Sequence, residues 1–311
     1  MLSVHDIISA RLQNPSLKDT DGERVALCLD SGGMKGAVIG GMAAEIEELG
    51  LTDCFDAVYG SSAGCLIGAY LLDASAAGGE DIFWRHLSGR RFVRPALTII
   101  GGALNMDYLF DAVILKREPI SASRVASRSA SFHPLIANRH SGHAVDASTI
   151  FNLASQSDFI AALRASVRAP LVCGNPWSKI PDLWRDAGLY EPIPYQTPLA
   201  AGATRMLLLR SAPAGHVPKG SLNRLHGFAG QHLPYPLTGS RQSGRGAQNK
   251  LLAAAQPSSV KQIFPSEALQ YSFFCRDSKM LQQYALAGRK AIRDWWHGSE
   301  ASSLTAQSAQ S

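Results

Sequence analysis

The chain is poor in several things, and each shortage removes a class of explanation. No apolar run approaches the roughly 18 residues needed to cross a bilayer, so no segment reads as a transmembrane span. The first 23 residues interrupt their apolar positions with Asp6, Arg11, Asp19 and Asp21 and hold no signal-like hydrophobic core. The spacing of Val4, Ile7, Ile8 and Leu12 predicts instead one short amphipathic helix ending near Pro15. Cysteine is sparse: Cys28, Cys54, Cys65, Cys173 and Cys275 are odd in number, scattered, and form no Cys-x-x-Cys pair. That excludes a disulfide framework and a zinc site, and it fits reduced, mostly buried thiols. Together with the missing leader it points to an intracellular protein, cytoplasmic or at a membrane periphery.

Acidic residues are absent from Pro192 through Ser266, while that stretch carries Arg205, Arg210, Lys219, Arg224, Arg241, Arg245, Lys250 and Lys261. The net charge of +5 is modest by comparison. A one-signed stretch of this kind suits either a solvated basic loop or peripheral association with an anionic membrane surface. Nucleic acid is not the expected partner, because no recognition-module motif and no regular basic-aromatic interleaving are present.

What the chain does hold is ordinary globular material, 311 residues with 46% hydrophobic and 18% charged, enough for one large α/β domain with a buried core. Residues 24–30 form a nearly continuous apolar run, the pattern of a strand buried on both faces. Ser31-Gly32-Gly33-Met34-Lys35-Gly36 follows, then a predicted helix over 37–49 that ends at Gly50, where a C-capping glycine belongs. A second strand over 55–59 leads into Gly60-Ser61-Ser62-Ala63-Gly64 and an apolar helix over 65–72. This alternation of strand, glycine-bearing turn and helix predicts a mainly parallel α/β sheet. Further along, the pattern predicts helices over 80–87, 107–116 and 157–168, a hairpin of 131–138 with 143–146, and a buried strand over 204–210. Residues 89–102 resist assignment, and their apolar Leu97-Thr98-Ile99-Ile100 suits a lid or a pocket wall. The expected organisation is an N-terminal extension (1–23), a catalytic core (24–211), a basic irregular excursion (212–262), a helical segment packing on the core (263–297) and a disordered tail (298–311).

Gly60-Ser61-Ser62-Ala63-Gly64 has the Gly-x-Ser-x-Gly form of a nucleophile elbow, which lifts a serine clear of the sheet at a helix N-terminus. A serine is a poor nucleophile until a base takes its proton, and acyl transfer also needs donors at the oxyanion. Gly32, Gly33 and Gly36, at a strand-to-helix turn, are candidates for those donors. Asp186, in the small-residue turn Asp186-Ala187-Gly188, is a candidate base. A dinucleotide fingerprint would require glycine at position 31 and a Walker A loop would require Gly-Lys-Ser/Thr, so neither fits.

These motifs, in this order and spacing, resemble the patatin-like phospholipase family across residues 25–211. Asp30-Ser31-Gly32-Gly33-Met34-Lys35-Gly36 is similar to its Asp-Gly-Gly-Gly-x-Arg/Lys-Gly oxyanion loop. Gly60 to Gly64 is similar to its elbow, Arg164 to Pro170 to the helix end before its active-site aspartate, and Asp186-Ala187-Gly188 to its Asp-Gly-Gly/Ala turn. The resemblance implies a three-layer α/β/α fold and hydrolysis of acyl-lipid esters by a Ser-Asp dyad without metal or cofactor. Ser62 would be the nucleophile, Asp186 the proton acceptor, and Gly32, Gly33 and Ala63 the oxyanion donors. Asp30, Lys35 and Gly36 would support the loop, with Lys35 as a solvated or loop-stabilising cation. An aspartate base near neutral pH needs an apolar setting that raises its pKa. Ser31 and Ala187 depart from the family pattern, and at a backbone position with φ > 0 either side chain would cost about 1–2 kcal/mol. Two other readings use the same residues: a weak or inactive homologue serving as a lipid-binding scaffold, and a Ser-His-Asp esterase drawing on His216, His226, His232 or His297.

Overall fold

Ser3 and Asp6 each accept the other's backbone N–H in a reciprocal capping box, and the chain enters its first helix, α1 (Val4–Gln13). Val4, Ile7 and Ile8 of α1 are buried in the main core, so the extension is part of the packed body. The computed structural model describes residues 2–100, 102–138, 143–169, 172–173, 184–215, 245–256 and 258–308. Among them, no helix is long and apolar enough to cross a membrane.

β1 (Val25–Leu29) is buried at every position and is followed by α2 (Gly36–Glu48). β2 (Ala57–Ser61), α3 (Ala63–Leu72) and α4 (Ala76–Arg85) come next, then α5 (Ala122–Ala126), β3 (Ser131–Asn138) and β4 (Ala144–Asp146). After α6 (Gln156–Ser166) come β5 (Trp184–Asp186), α7 (Gln196–Ala200), β6 (Arg205–Leu209), α8 (Arg245–Ala253), β7 (Val260–Ile263) and the long α9 (Ser278–Ser308). The sheet order is β4-β3-β2-β1-β6-β7, with β5 also paired to β3. β3, β2, β1, β6 and β7 run parallel; β4 and β5 run antiparallel to β3.

Strand alternation sends Leu27, Leu29, Val58 and Phe132 into the large cluster that also holds residues of α2, α3, α4, α6 and α9. Ala26, Cys28, Tyr59, Leu135, Met206 and Leu208 face the other way, into a smaller cluster with Ile193 and Leu252. The result is an α/β protein of three layers around a mostly parallel sheet. Its topological switch point lies at β1, which sends the chain to β2 on one side and receives β6 on the other. Crevices at such points, beyond the strands' carboxyl ends, are where open α/β sheets hold ligands.

Several expectations change. The second strand lies two residues later than its apolar run suggests, because Ala57 to Gly60 pair with β1 and Ala57 to Ser61 with β3. The predicted helix over 107–116 contains a π-helical stretch, Tyr108–Ile114. Residues 212–262 are not irregular throughout: α8 and β7 lie within them, β7 paired to β6, while 216–244 fall outside the described residues. The C-terminal segment is helical only from Ser278, where Asp277 accepts the N–H of Met280 and its carbonyl that of Leu281. From there α9 continues through Ser308 instead of ending near 297, since Ala, Leu and Gln in 299–307 sustain a helix once one is under way. Trp295 and Trp296 are buried in the core, against His5 of α1. Of the Leu97 to Ile100 patch, the backbone forms part of a two-turn 3-10 helix, Pro95–Ile100, and the side chains of 98–100 lie outside the described residues. The same holds for the hairpin's turn, 139–142.

Candidate active site

β2 ends at Ser61 and α3 begins at Ala63, so Ser62 alone makes the turn between them. Its φ of 54° and ψ of −122° lie where a side chain is strained, a cost on the order of 1–3 kcal/mol that surrounding packing must hold in place. That packing is tight. A Cβ on Gly64 would stand 2.3 Å from the carbonyl oxygen of Leu29, so only glycine lets α3 seat against the end of β1.

The loop after β1 is fixed from beneath. Asp30 is fully buried; its Oδ2 accepts the N–H of Ser211 at 3.1 Å and lies 3.5 Å from Arg210 Nε. The Ser211 hydroxyl donates to the Ser31 carbonyl at 2.7 Å, and Ser31 N–H donates to the carbonyl of Pro192 at 2.8 Å. Gly33 turns the chain with φ 58°, a conformation that favours glycine. Gly36 then donates its N–H to the Gly33 carbonyl and begins α2. Lys35 is 5% exposed, so it is a buried member of this loop and not the solvated cation that its charge suggests.

β5 explains how the aspartate arrives. Ser61, the last residue of β2, pairs with Leu135; Asp186 pairs with Ile136, the next residue along β3. With β4 on the other side of β3, β5 occupies the edge that β2 vacates, and Asp186 meets the elbow end to end. Its Oδ1 takes the N–H of Gly188 at 2.7 Å. Burial pushes the Asp186 pKa up to about 6, against the neighbouring Ser62 hydroxyl and the Gly188 N–H, which lower it.

The three motifs also touch one another. A Cβ on Gly36 would come within 2.8 Å of the Ala63 methyl, and one on Gly188 within 3.2 Å of Ser31 Cβ. Among the described residues no acceptor takes the N–H groups of Gly32, Gly33 or Ala63. Neither Ser31 nor Ala187 has positive φ, so the departures from the family pattern carry no left-handed strain. Ala187 is fully buried in the smaller core cluster. A hydroxyl beside a buried carboxylate, next to unclaimed N–H groups at a helix start, is an arrangement that can deprotonate a serine and receive an oxyanion.

The histidines stand elsewhere. His216, His226 and His232 lie outside the described residues, and His297 is exposed on α9. His133 does form a Ser-His-Asp chain, with Ser131 Oγ at 2.7 Å and Asp146 Oδ2 at 2.6 Å, under a stacked Tyr59 ring. Ser131, however, starts β3 four residues before Leu135, and its N–H already donates to the Asp56 carbonyl. It has neither an elbow nor a free donor beside it. A cavity of about 200 Å³ beyond β6 and β7 is lined by Arg210, Asn249, Gln262 and Phe264 but by neither Ser62 nor Asp186.

Sequence reasoning passed over Ser211 and Phe273. Ser211 had a signal: it follows the apolar strand β6 as Ser31 follows β1, at the switch point. Phe273 had none, since it reaches the loop from far along the chain, by its backbone carbonyl and its ring.

The model of the patatin-like phospholipase family matches residues 27–199. Among solved structures, VipD from Legionella pneumophila matches with a TM-score of 0.47 and 11% sequence identity, over 89% of this chain and 67% of that one. No curated protein sequence matches.

Proposed function

This chain belongs to the patatin-like phospholipase family, and on that premise we propose that it hydrolyses carboxylic esters of acyl lipids through a Ser62–Asp186 dyad. The observation that carries the proposal is the meeting of the Ser62 elbow with an Asp186 carboxylate that is 4% exposed, near enough to the Ser62 hydroxyl for that group to lower its pKa. Ser62 Oγ attacks the ester carbonyl while its proton passes to Asp186. The carbonyl oxygen becomes an oxyanion, received by the N–H groups of Gly32, Gly33 and Ala63, with Asp30, Lys35 and Gly36 keeping the loop in shape. As the tetrahedral intermediate collapses, Asp186 returns the proton to the departing alcohol, a lysolipid or glycerol hydroxyl, and the acyl group stays on Ser62. Water then attacks the acyl-enzyme, Asp186 taking its proton; as the second tetrahedral intermediate collapses Asp186 returns that proton to Ser62 Oγ, and the fatty acid leaves. A carboxylate with a pKa near 6 is a competent base at neutral pH because it is ionised there yet more basic than an exposed aspartate.

Assay of the wild type on a lipid panel spanning phospholipids, lysophospholipids and acylglycerols tests the reading. Ser62→Ala and Asp186→Asn should each lower turnover by about 10⁴-fold or more, since the members of such a unit act together. A fluorophosphonate probe should label wild type at Ser62 and leave Ser62→Ala unlabelled. Undiminished turnover in either variant would exclude the dyad, and an unlabelled wild type would favour a lipid-binding scaffold.

A further inference from the structure

Residues 264–277 lie outside the stretch matched by the family model, yet they reach the oxyanion loop. The carbonyl of Phe273 accepts the N–H of Met34 at 3.1 Å. Its ring covers Gly33 so closely that a Cβ there would come within 2.7 Å of two ring carbons. One residue thus holds the Gly33–Met34 peptide by its carbonyl and presses on the neighbouring Cα with its ring. That peptide follows the glycine with φ 58°.

The strap itself is anchored. Tyr284 of α9 is fully buried, accepts the N–H of Ser272 at 2.9 Å and donates to the Gln270 carbonyl at 2.5 Å. Tyr271 packs on the Tyr284 ring at 4.9 Å and donates its hydroxyl to the Ser266 carbonyl. α9 is in turn seated on α2: a Cβ on Gly41 would lie 2.0 Å from the Ala285 carbonyl oxygen, and one on Gly288 2.0 Å from that of Val38. The helix that begins at the loop and the helix that anchors the strap are therefore one rigid pair, with Phe273 closing the bracket between them.

We propose that Phe273, held by Tyr284, is a positioning residue: by fixing the Gly33–Met34 peptide and covering the Gly33 Cα, it keeps the Gly33 N–H, in the peptide just before, aimed at the oxyanion. Resting on the Ser62 hydrolase reading above, this makes the C-terminal segment part of the catalytic machinery. Its effect belongs in kcat, because the oxyanion exists only after attack, and displacing a preorganised donor by about an ångström is worth roughly 10- to 100-fold in rate.

The test compares full-length wild type, Phe273→Ala, Phe273→Tyr and Tyr284→Phe on p-nitrophenyl butyrate. A trifluoromethyl ketone, whose hemiketal with Ser62 carries an oxyanion, and butyrate, a ground-state product, serve as inhibitors. Phe273→Ala should lower kcat about 10- to 100-fold with KM changed less than about twofold. The Ki of the ketone should rise by the same factor as kcat falls, while that of butyrate stays put. Phe273→Tyr should restore most of the rate. Tyr284→Phe, which keeps the buried ring and removes only the hydroxyl, should show the same kcat and ketone pattern more weakly, and it carries the test if Phe273→Ala does not fold. Unchanged kcat in folded Phe273→Ala and Tyr284→Phe would overturn the proposal, as would a loss confined to KM or a kcat loss with no change in ketone binding. Wild type without Ser62-dependent turnover would instead overturn the reading on which it rests, and this shows before any strap variant is made.

Discussion

Asp186 meets two opposed demands, and both have measurable consequences. As a base it must be ionised, so kcat/KM should rise with pH along a single ionisation near pH 6 and level off above it. A rate profile flat from pH 5 to 8 would remove Asp186 from the proton path. As a buried group it resists ionisation. Its pKa is raised on folding from an ordinary value of 3.8 to about 6, mainly by burial, so the folded state binds the proton more tightly than the unfolded one. Stability from this site is therefore present below about pH 4, falls as pH climbs to about 6, and stays lost above that, by an amount on the order of 3 kcal/mol. Asp186→Asn keeps the size and the acceptor for Gly188 without the charge. It should be inactive yet more stable than wild type at pH 8, with the gap closing toward pH 4; denaturant unfolding at both pH values checks this. Ser62 and Asp186 were both legible as residues, because a strained elbow and a small-residue turn each leave glycines in the sequence. Burial of the carboxylate was not legible, since it depends on which strand ends beside it.

At the scale of elements, the long apolar runs declared themselves and the short pieces did not. β1 and β6 are buried on both sides and need continuous hydrophobic sequence, and α6 announces its face through Phe159, Ile160 and Leu163. β5 is three residues, Trp-Arg-Asp, with no pattern of its own; it is a strand because β3 runs on past the end of β2 and leaves an open edge. β7, Val-Lys-Gln-Ile, likewise takes its form from pairing with β6. The docking of α9 on α2 is a third case, carried by backbone approach at Gly41 and Gly288 and by ion pairs. Arg289 binds Glu80 and Glu48, and Arg293 binds Glu45 through two hydrogen bonds. Gly41→Ala pushes a methyl into the Ala285 carbonyl, so the helices must separate, at about 1–3 kcal/mol or more by the usual cost of overpacking. Arg293→Ala removes a pair whose arginine is mostly exposed and should cost well under half of that. Thermal melts of the two variants order these effects; a larger loss in Arg293→Ala would mean that charge, not close approach, seats the helix.

For the whole molecule, the acid-free stretch from 192 to 266 has to be reweighed by burial. Arg205 and Arg210 belong to its eight cations, but Arg205 is 8% exposed and paired with Glu23, and Arg210 is 4% exposed beside Asp30. Arg205 ties the start of β6 to the segment before β1, Arg210 ties its end to the oxyanion loop, and neither presents its charge to a partner. Arg245 begins α8, Lys250 on α8 and Lys261 on β7 are exposed, and Lys219, Arg224 and Arg241 lie outside the described residues. Both exposed lysines lie in the stretch of chain that links β6 to the end of β7, so any attraction to an anionic surface would act through that stretch. Each such cation near a charged bilayer is worth about 1 kcal/mol, so Lys250→Gln with Lys261→Gln should weaken binding to phosphatidylserine vesicles by roughly 30-fold at low salt. Arg205→Gln should leave it unchanged. Salt should have the same effect as the double variant, because screening shortens from about 30 Å at 0.01 M to about 10 Å at 0.1 M ionic strength. Sedimentation with anionic and neutral vesicles across that range separates the possibilities. Binding that ignores both salt and lipid charge would leave the basic stretch no part in membrane attraction.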